Sequence, residues 1–246
     1  MTFTQPAYRF RSGVFTPIPL STKTPILLGL DKELSVLKRN IELLISGAGA
    51  LNILLWGEKG GGKSSAVKYL LKEYTDRGLR IIEFSDDDYY NIYILYNEIR
   101  AAESQSFIIY FDDVSFDETD DRYRKFKSIV EGGLEEKPKN VVFAATSNRR
   151  HFIAETPSKS EDIYSRDLQN EQSSLYARFG IAIGFYPLGR ELYLEIAAFY
   201  LKDAGIELKD GWEVDAESYA IERGGRSGRV AEQYAKYKKI LSLDID

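Results

Sequence analysis

Residues Gly57, Glu58, Lys59, Gly60, Gly61, Gly62, Lys63 and Ser64 fit the pattern G-x-x-x-x-G-K-[ST] in full. The apolar run Leu51–Trp56 before them has strand character, and Ser65-Ala66-Val67-Lys68-Tyr69-Leu70-Leu71 after them opens a helix. Strand, glycine loop and helix in that order make a phosphate cradle. Loop N–H groups point at a phosphate, the helix amino end adds positive potential, and Lys63 reaches the outer phosphates. Ser64 would offer its hydroxyl to a magnesium ion, and Ser65, next in the helix, is assigned to the same site. A chance glycine-rich turn is a poor account of a loop flanked in this way.

Composition narrows the chemistry. The chain has 246 residues, enough for one α/β domain and a small appendage. With no cysteine there is no disulfide framework and no thiolate metal site. A single histidine, His151, removes His-based zinc clusters. The sequence shows no signal peptide and no apolar run of membrane-spanning length, so a cytoplasmic protein without a membrane partner is expected. A net charge of −5 argues against a general polyanion-binding surface. The local basic groups (Arg9 and Arg11 beside Tyr8 and Phe10, Arg149-Arg150, and Lys236, Lys238 and Lys239) read as solvated faces.

Along the chain, residues 1–25 contain Pro6, Pro17, Pro19 and Pro25 and no long periodic stretch, which predicts an extended arm. Apolar spacing predicts a helix over Asp31–Ile45. Then apolar runs alternate with helical patterns. Strands are predicted at Leu51–Trp56, Leu79–Phe84, Ser106–Phe111, Val141–Ala145 and Ile181–Phe185. Helices are predicted at 63–76, about 90–102 and about 120–130, with a short helix entering Arg178. Continuous apolar strands separated by helices imply a five-stranded parallel sheet covered on both faces. After Pro187 the strands stop, and Glu191–Ala204, Asp215–Arg223 and Gly228–Leu243 read as three helices. The expected organisation is an arm over 1–25, a nucleotide-binding α/β domain over 26–187 and a helical domain over 188–246.

Phe107-Ile108-Ile109-Tyr110-Phe111-Asp112-Asp113 ends an apolar strand in two acids, at the edge where parallel sheets bind ligands. Asp112 would hold the magnesium opposite Ser64. Asp113 would orient or deprotonate an attacking water. Thr146-Ser147-Asn148 ends the next strand, where Asn148 would bond the water and the γ-phosphate, or merely open a polar turn.

Together with a later Arg178-Phe179-Gly180 and three C-terminal helices, this set resembles the AAA+ ATPase superfamily. The strings Leu54-Leu55-Trp56-Gly57, Ala145-Thr146-Ser147-Asn148-Arg149-Arg150-His151, Arg178-Phe179-Gly180 and Arg226-Ser227-Gly228-Arg229-Val230-Ala231 resemble the bacterial domain-of-unknown-function family numbered 815, over about residues 26 to 240. The resemblance implies ATP or ADP with Mg2+ as ligands. It makes Asn148 the sensor-1 residue and Arg178 an arginine finger offered to a neighbouring subunit. It makes Arg229 the sensor-2 arginine of a helical lid, with Arg226 as the competing choice. Leu27-Leu28-Gly29 resembles the segment against the adenine, so Leu28 and Gly29 join the site. Two departures stand out. Asp113 replaces the Glu of many AAA+ proteins, which implies slow hydrolysis, and Ala177 precedes the finger where the family has Asp.

The leading expectation is a slow AAA+ ATPase that works as a homo-oligomeric ring or spiral on a protein or nucleic-acid partner. The alternative is a nucleotide-gated binding module with little hydrolysis. A small-molecule P-loop kinase is disfavoured by the C-terminal helices. A threading unfoldase is not expected, since Asp86-Asp87-Asp88-Tyr89-Tyr90-Asn91 lacks an aromatic-apolar-Gly loop, and Tyr89 and Tyr90 are better explained as a helix start. The stretch Glu155–Ser174 is polar and reads as a partner-binding loop or an insertion.

Overall fold

The computed structural model describes residues 2–21, 23–116, 121–132, 135–150, 152 and 175–243. His151 and the Glu155–Ser174 stretch lie outside them.

The strands are β1 (Ala7–Arg11), β2 (Val14–Pro17), β3 (Ile53–Gly57), β4 (Leu79–Phe84), β5 (Ser106–Phe111), β6 (Val141–Ser147) and β7 (Ile181–Phe185). The helices are α1 (Asp31–Ile45), α2 (Lys63–Tyr74), α3 (Ile92–Arg100), α4 (Asp121–Glu131), α5 (Arg190–Asp203), α6 (Trp212–Glu222) and α7 (Gly228–Leu241). Asp86–Asn91 is a 3-10 stretch before α3, with Tyr89 buried and Tyr90 exposed.

All strands join one sheet in the order β2-β1-β4-β5-β6-β3-β7. The five expected strands pair in parallel. The sheet nevertheless has seven strands rather than five, because the N-terminal segment is not a bare arm. β1 pairs in parallel with β4, and β2 folds back antiparallel on β1. The period-2 pattern Tyr8-Arg9-Phe10-Arg11 explains this. Tyr8 and Phe10 are buried, Arg9 and Arg11 point outward, and the Arg9 Nε reaches Glu83 Oε1 on β4 at 2.8 Å. Pro17 is tolerated because it ends an edge strand, where no ladder donor is needed.

Two cores cover the sheet. On one face Leu37, Ile41 and Leu44 of α1 and Val67, Leu70 and Leu71 of α2 pack on Ile53, Leu55, Ile108 and Val142. On the other, α3 and α4 pack Leu95, Ile99 and Phe126 on Phe84, Phe107, Ile109, Phe111 and Phe143. β5 is buried at all six positions, and alternation sends Ile108 and Tyr110 to the α1–α2 side. A third core holds α5, α6 and α7 together around Tyr193, Ala216, Ala231 and Tyr234. There the Tyr193 hydroxyl donates to Ala216 O at 3.0 Å and the Tyr234 hydroxyl to Asp215 Oδ2 at 2.9 Å. No helix among the described residues is long and apolar enough to cross a membrane.

The hairpin is an integral part of the core, so it should be sensitive to truncation of its aromatic contacts. Phe10 is fully buried and stacks on Phe84 with ring centroids 5.8 Å apart. Phe10→Ala should lower unfolding free energy by about 3–5 kcal/mol, read from denaturant titration.

Candidate functional site

The carboxyl ends of β3, β5 and β6 meet the amino end of α2 around a cleft of about 570 Å³. Its floor is the loop and helix start from Lys59 through Gly60, Gly61, Gly62, Lys63, Ser64 and Ser65. Asp112, Asp113, Thr146 and Asn148 form one wall. Leu27, Leu28 and Gly29 form another, and Leu192, Ile196 and Tyr200 of α5 with Arg229 of α7 close it from above. Leu27 packs against the sheet core while Leu28 packs against the C-terminal helical core. The segment thus bridges the two bodies at an apolar wall suited to a flat base.

Gly57 and Glu58 do not line the cleft. A Cβ on Gly57 would lie 2.0 Å from Phe185 O, and the Glu58 N–H donates to that same oxygen at 2.9 Å. This fastens β7 to the start of the loop. Their contribution is through carbonyls: the Lys63 ammonium donates to Gly57 O at 2.7 Å, to Glu58 O at 2.9 Å and to Asn148 Oδ1 at 3.2 Å. All three of its protons are engaged. Lys63 is only 8% exposed, and burial holds its pKa below the usual lysine value against the opposing charges of Asp113, Glu58 and Asp112.

Asp112 is the best-supported acid of the site. Its Oδ1 accepts from Ser64 Oγ at 3.2 Å, from Tyr110 OH at 2.6 Å and from Thr146 Oγ1 at 2.7 Å. Burial first, and the Asp112 charge second, push the Tyr110 phenol well above its ordinary pKa, so it remains a donor. Among the described residues no cluster of three or more His, Cys, Asp or Glu side chains could hold a metal alone. A hydroxyl and a carboxylate side by side fit magnesium instead, which keeps most of its water and takes one or two protein oxygens beside phosphate.

Asp113 follows with a backbone φ of +53°, in the left-handed region that Asp enters more easily than most residues. The strand end beside it supplies the ties. The Asp113 N–H donates to Thr146 Oγ1 at 2.8 Å, the Val114 N–H donates to Thr146 O at 2.7 Å, and the Asn148 amide donates to Asp113 Oδ1. Asn148 therefore joins Lys63 to Asp113 through its two amide ends.

The arginines separate clearly. Arg229 reaches the cleft from the first turn of α7, whose cap is Ser227 accepting from the Val230 N–H at 3.2 Å. Arg226 faces away and bonds Glu217 of α6, with Nε 2.9 Å from Oε1. Arg178 lines no part of the cleft. It is exposed, and among the described residues its guanidinium has no partner. Its segment is nevertheless connected to the site. The Arg150 guanidinium lies over Trp56 at 5.6 Å and over Tyr176 at 5.9 Å, joining the end of β6 and the residue before Gly57 to the turn that presents Arg178.

Tyr110 and Thr146, which hold Asp112, and Ser227, which caps α7 beside Gly60, were not singled out by the sequence. Thr146 and Asn148 are two apart at the end of β6, so alternation would have placed them on one face. Ser227 had no local signal, because it meets the loop only in three dimensions.

A family model described as "Protein of unknown function (DUF815)" matches residues 4–240. No curated protein matches the chain. Among solved structures, AMPPCP-bound DnaA from Aquifex aeolicus is similar with a TM-score of 0.57 and 19% identity, over 89% of this chain and 64% of that one. A DnaA bound to AMPPCP and single-stranded DNA gives a TM-score of 0.55 and 21% identity over 89% and 64%. The Thermotoga maritima RuvB Holliday junction branch migration motor gives 0.52 and 14% over 88% and 69%. The chain therefore spans less than two thirds of the DnaA chains it resembles. These likenesses establish the AAA+ fold.

Gly60 tests whether the contact between loop and α7 matters. Its φ is +77°, and a Cβ there would meet Ser227 Oγ at 2.8 Å and Arg229 Cβ at 3.2 Å. Gly47 has a similar φ of +71° with nothing within 4 Å. Both Gly→Ala changes should cost about 1–2 kcal/mol of stability from backbone strain. Only Gly60→Ala should weaken nucleotide binding, by about tenfold or more in a fluorescent-nucleotide titration, since 1.4 kcal/mol is a factor of ten.

Proposed function

This chain belongs to the DUF815 family, and from that premise we propose that it is an AAA+ ATPase whose site is completed by a neighbouring copy. The observation that supports this most directly is a division among its arginines. Arg229 enters the cleft, whereas Arg178 stands exposed outside it, its guanidinium without a partner among the described residues, on a segment tied to the cleft through Arg150.

In this reading the loop N–H groups and the amino end of α2 bind the phosphates, and Lys63 turns from the loop carbonyls to the outer ones. The adenine lies against the apolar wall that Leu28, Gly29 and Leu192 form together, Leu192 being packed directly on Gly29. Ser64 and Asp112 would hold a magnesium ion, which would supply charge neutralisation at the outer phosphates. Asp113 and Asn148 orient a water for attack on the γ-phosphorus. Arg229 from the helical lid and Arg178 from the next subunit stabilise the charge spread over the γ-oxygens. Because Asp113 is one methylene shorter than Glu and its Oδ1 is engaged by Asn148, hydrolysis is slow.

The output is remodelling of a protein or nucleic-acid partner by a ring or spiral of subunits. DnaA and RuvB, named with single-stranded DNA and with Holliday junctions, make nucleic acid the partner to test first. Anisotropy with single- and double-stranded DNA across a salt series decides this, since phosphate contacts impose a steep salt dependence. The second reading, a nucleotide-gated binding module, is favoured by the engaged Asp113 carboxylate, and turnover measured with candidate partners separates the two.

Arg178→Ala should leave nucleotide affinity within a few-fold of wild type while reducing turnover by about 10³–10⁵. Unchanged turnover in that variant defeats the in-trans arrangement. Sizing with and without ATP and magnesium should show a nucleotide-dependent shift from monomer to oligomer.

A further inference from the structure

The loop, the acids and the arginines leave one cluster unused: the buried hydroxyls behind Asp112. Thr146 is 1% exposed and Tyr110 is 7% exposed, and they come from adjacent strands of the sheet, β6 and β5. Both donate to the same carboxylate oxygen, Oδ1 of Asp112, at 2.7 and 2.6 Å. Ser64 adds a longer third donor at 3.2 Å. One carboxylate oxygen offers about two lone-pair sites, so Oδ1 is saturated. Oδ2 accepts from nothing among the described residues, and Asp112 is exposed on the cleft.

Ser64 is itself a candidate metal ligand, so the hydroxyls left to fix the carboxylate are those of Thr146, in the cleft wall, and Tyr110, behind it. Thr146 does more than Tyr110. Its Oγ1 also accepts from the Asp113 N–H at 2.8 Å, and so pins the residue whose φ is +53°. One side chain on β6 therefore sets the orientation of both acids at the end of β5.

We propose that Thr146, assisted by Tyr110, is a positioning residue for the magnesium-binding carboxylate, fixing Asp112 Oδ1 so that Oδ2 is presented to the metal. The proposal rests on the ATPase reading above. A plain structural role for Thr146 also accounts for a buried hydroxyl with partners. The two accounts differ in what a valine of nearly the same shape would change. If the hydroxyl only satisfies its own burial, Thr146→Val alters stability and leaves the metal dependence alone. If it aims Asp112, the metal dependence moves. Loss of a partner behind a metal ligand typically weakens metal affinity by about 10–100-fold.

The test uses the full chain, a fluorescent ATP analogue and magnesium. The magnesium concentration that half-saturates the gain in nucleotide affinity is measured for wild type, Thr146→Val, Thr146→Ser and Tyr110→Phe, with thermal unfolding followed in parallel. Thr146→Val should raise that midpoint about tenfold or more. Tyr110→Phe should raise it in the same direction by less, and Thr146→Ser, which keeps the hydroxyl, should stay close to wild type. In turnover the KM for magnesium should rise in Thr146→Val, with an added fall in kcat from the released Asp113 turn. A wild-type midpoint in both Thr146→Val and Tyr110→Phe overturns the proposal while leaving the ATPase reading intact. Should Thr146→Val fail to fold, Tyr110→Phe decides alone. Absence of any magnesium effect on wild-type nucleotide affinity overturns the ATPase reading and this proposal with it.

Discussion

The pairing of β5 with β6, in a register that sets Phe111 against Ala145, is the constraint on which the cleft depends. One step beyond that pair lie Asp112 and Thr146, and the backbone bond from Val114 N–H to Thr146 O extends the tie past the strand. A slip of one residue would turn every side chain of β5 to the other face. Tyr110 would leave the α1–α2 side, and Asp112 would face away from Ser64. The apolar run from Phe107 to Phe111 cannot prevent such a slip by polarity, because both of its faces are buried. Register is held instead by shape against two cores and by the polar contacts at the strand end.

β6 is also the neighbour of β3, with Leu55 against Thr146. It therefore lies between the strand that feeds the glycine loop and the strand that ends in the acids. Asn148, two residues beyond Thr146, touches Lys63 on one side and Asp113 on the other. Any movement of Lys63 toward a phosphate removes a donor from Asn148, whose other end steadies Asp113. Lys63 and Asp113 are thus coupled through one amide, with no longer chain of contacts between them.

Much of this was legible in the sequence, and the reasons are local. The five parallel strands announce themselves as continuous apolar runs, and α1 falls where its apolar spacing places it, at Asp31–Ile45. The glycine loop and the two acids are short-range patterns. What escaped was long-range. The prolines of the first twenty-five residues masked the alternation of Tyr8 to Arg11, and nothing nearby indicated that Ile81 to Phe84 would accept it as a partner. β6 runs on to Ser147, past the predicted end at Ala145, because β3 pairs with it there, Leu55 against Thr146 and Trp56 against Ser147. The contrast between Arg226 and Arg229 depends on Glu217, nine residues before Arg226 on α6. Hydroxyls such as Tyr110 gain meaning only from the carboxylate they meet.

The hairpin imposes an order of assembly. β1 is the first strand of the chain, yet its parallel partner β4 follows more than seventy residues later, with Ala7 against Ile81. A parallel neighbour cannot be reached by a tight turn, and closing so long a loop delays the pairing. Tyr8 and Phe10 leave the ribosome long before the aromatic surface of Phe84 that buries them. Until then the growing chain has an apolar ribbon without a sheet, and once β4 appears its free edge is open to any strand. The hairpin is thus the cap for a sheet edge made well after it, so β1 and β2 act as a built-in guard that engages only when the centre of the sheet exists.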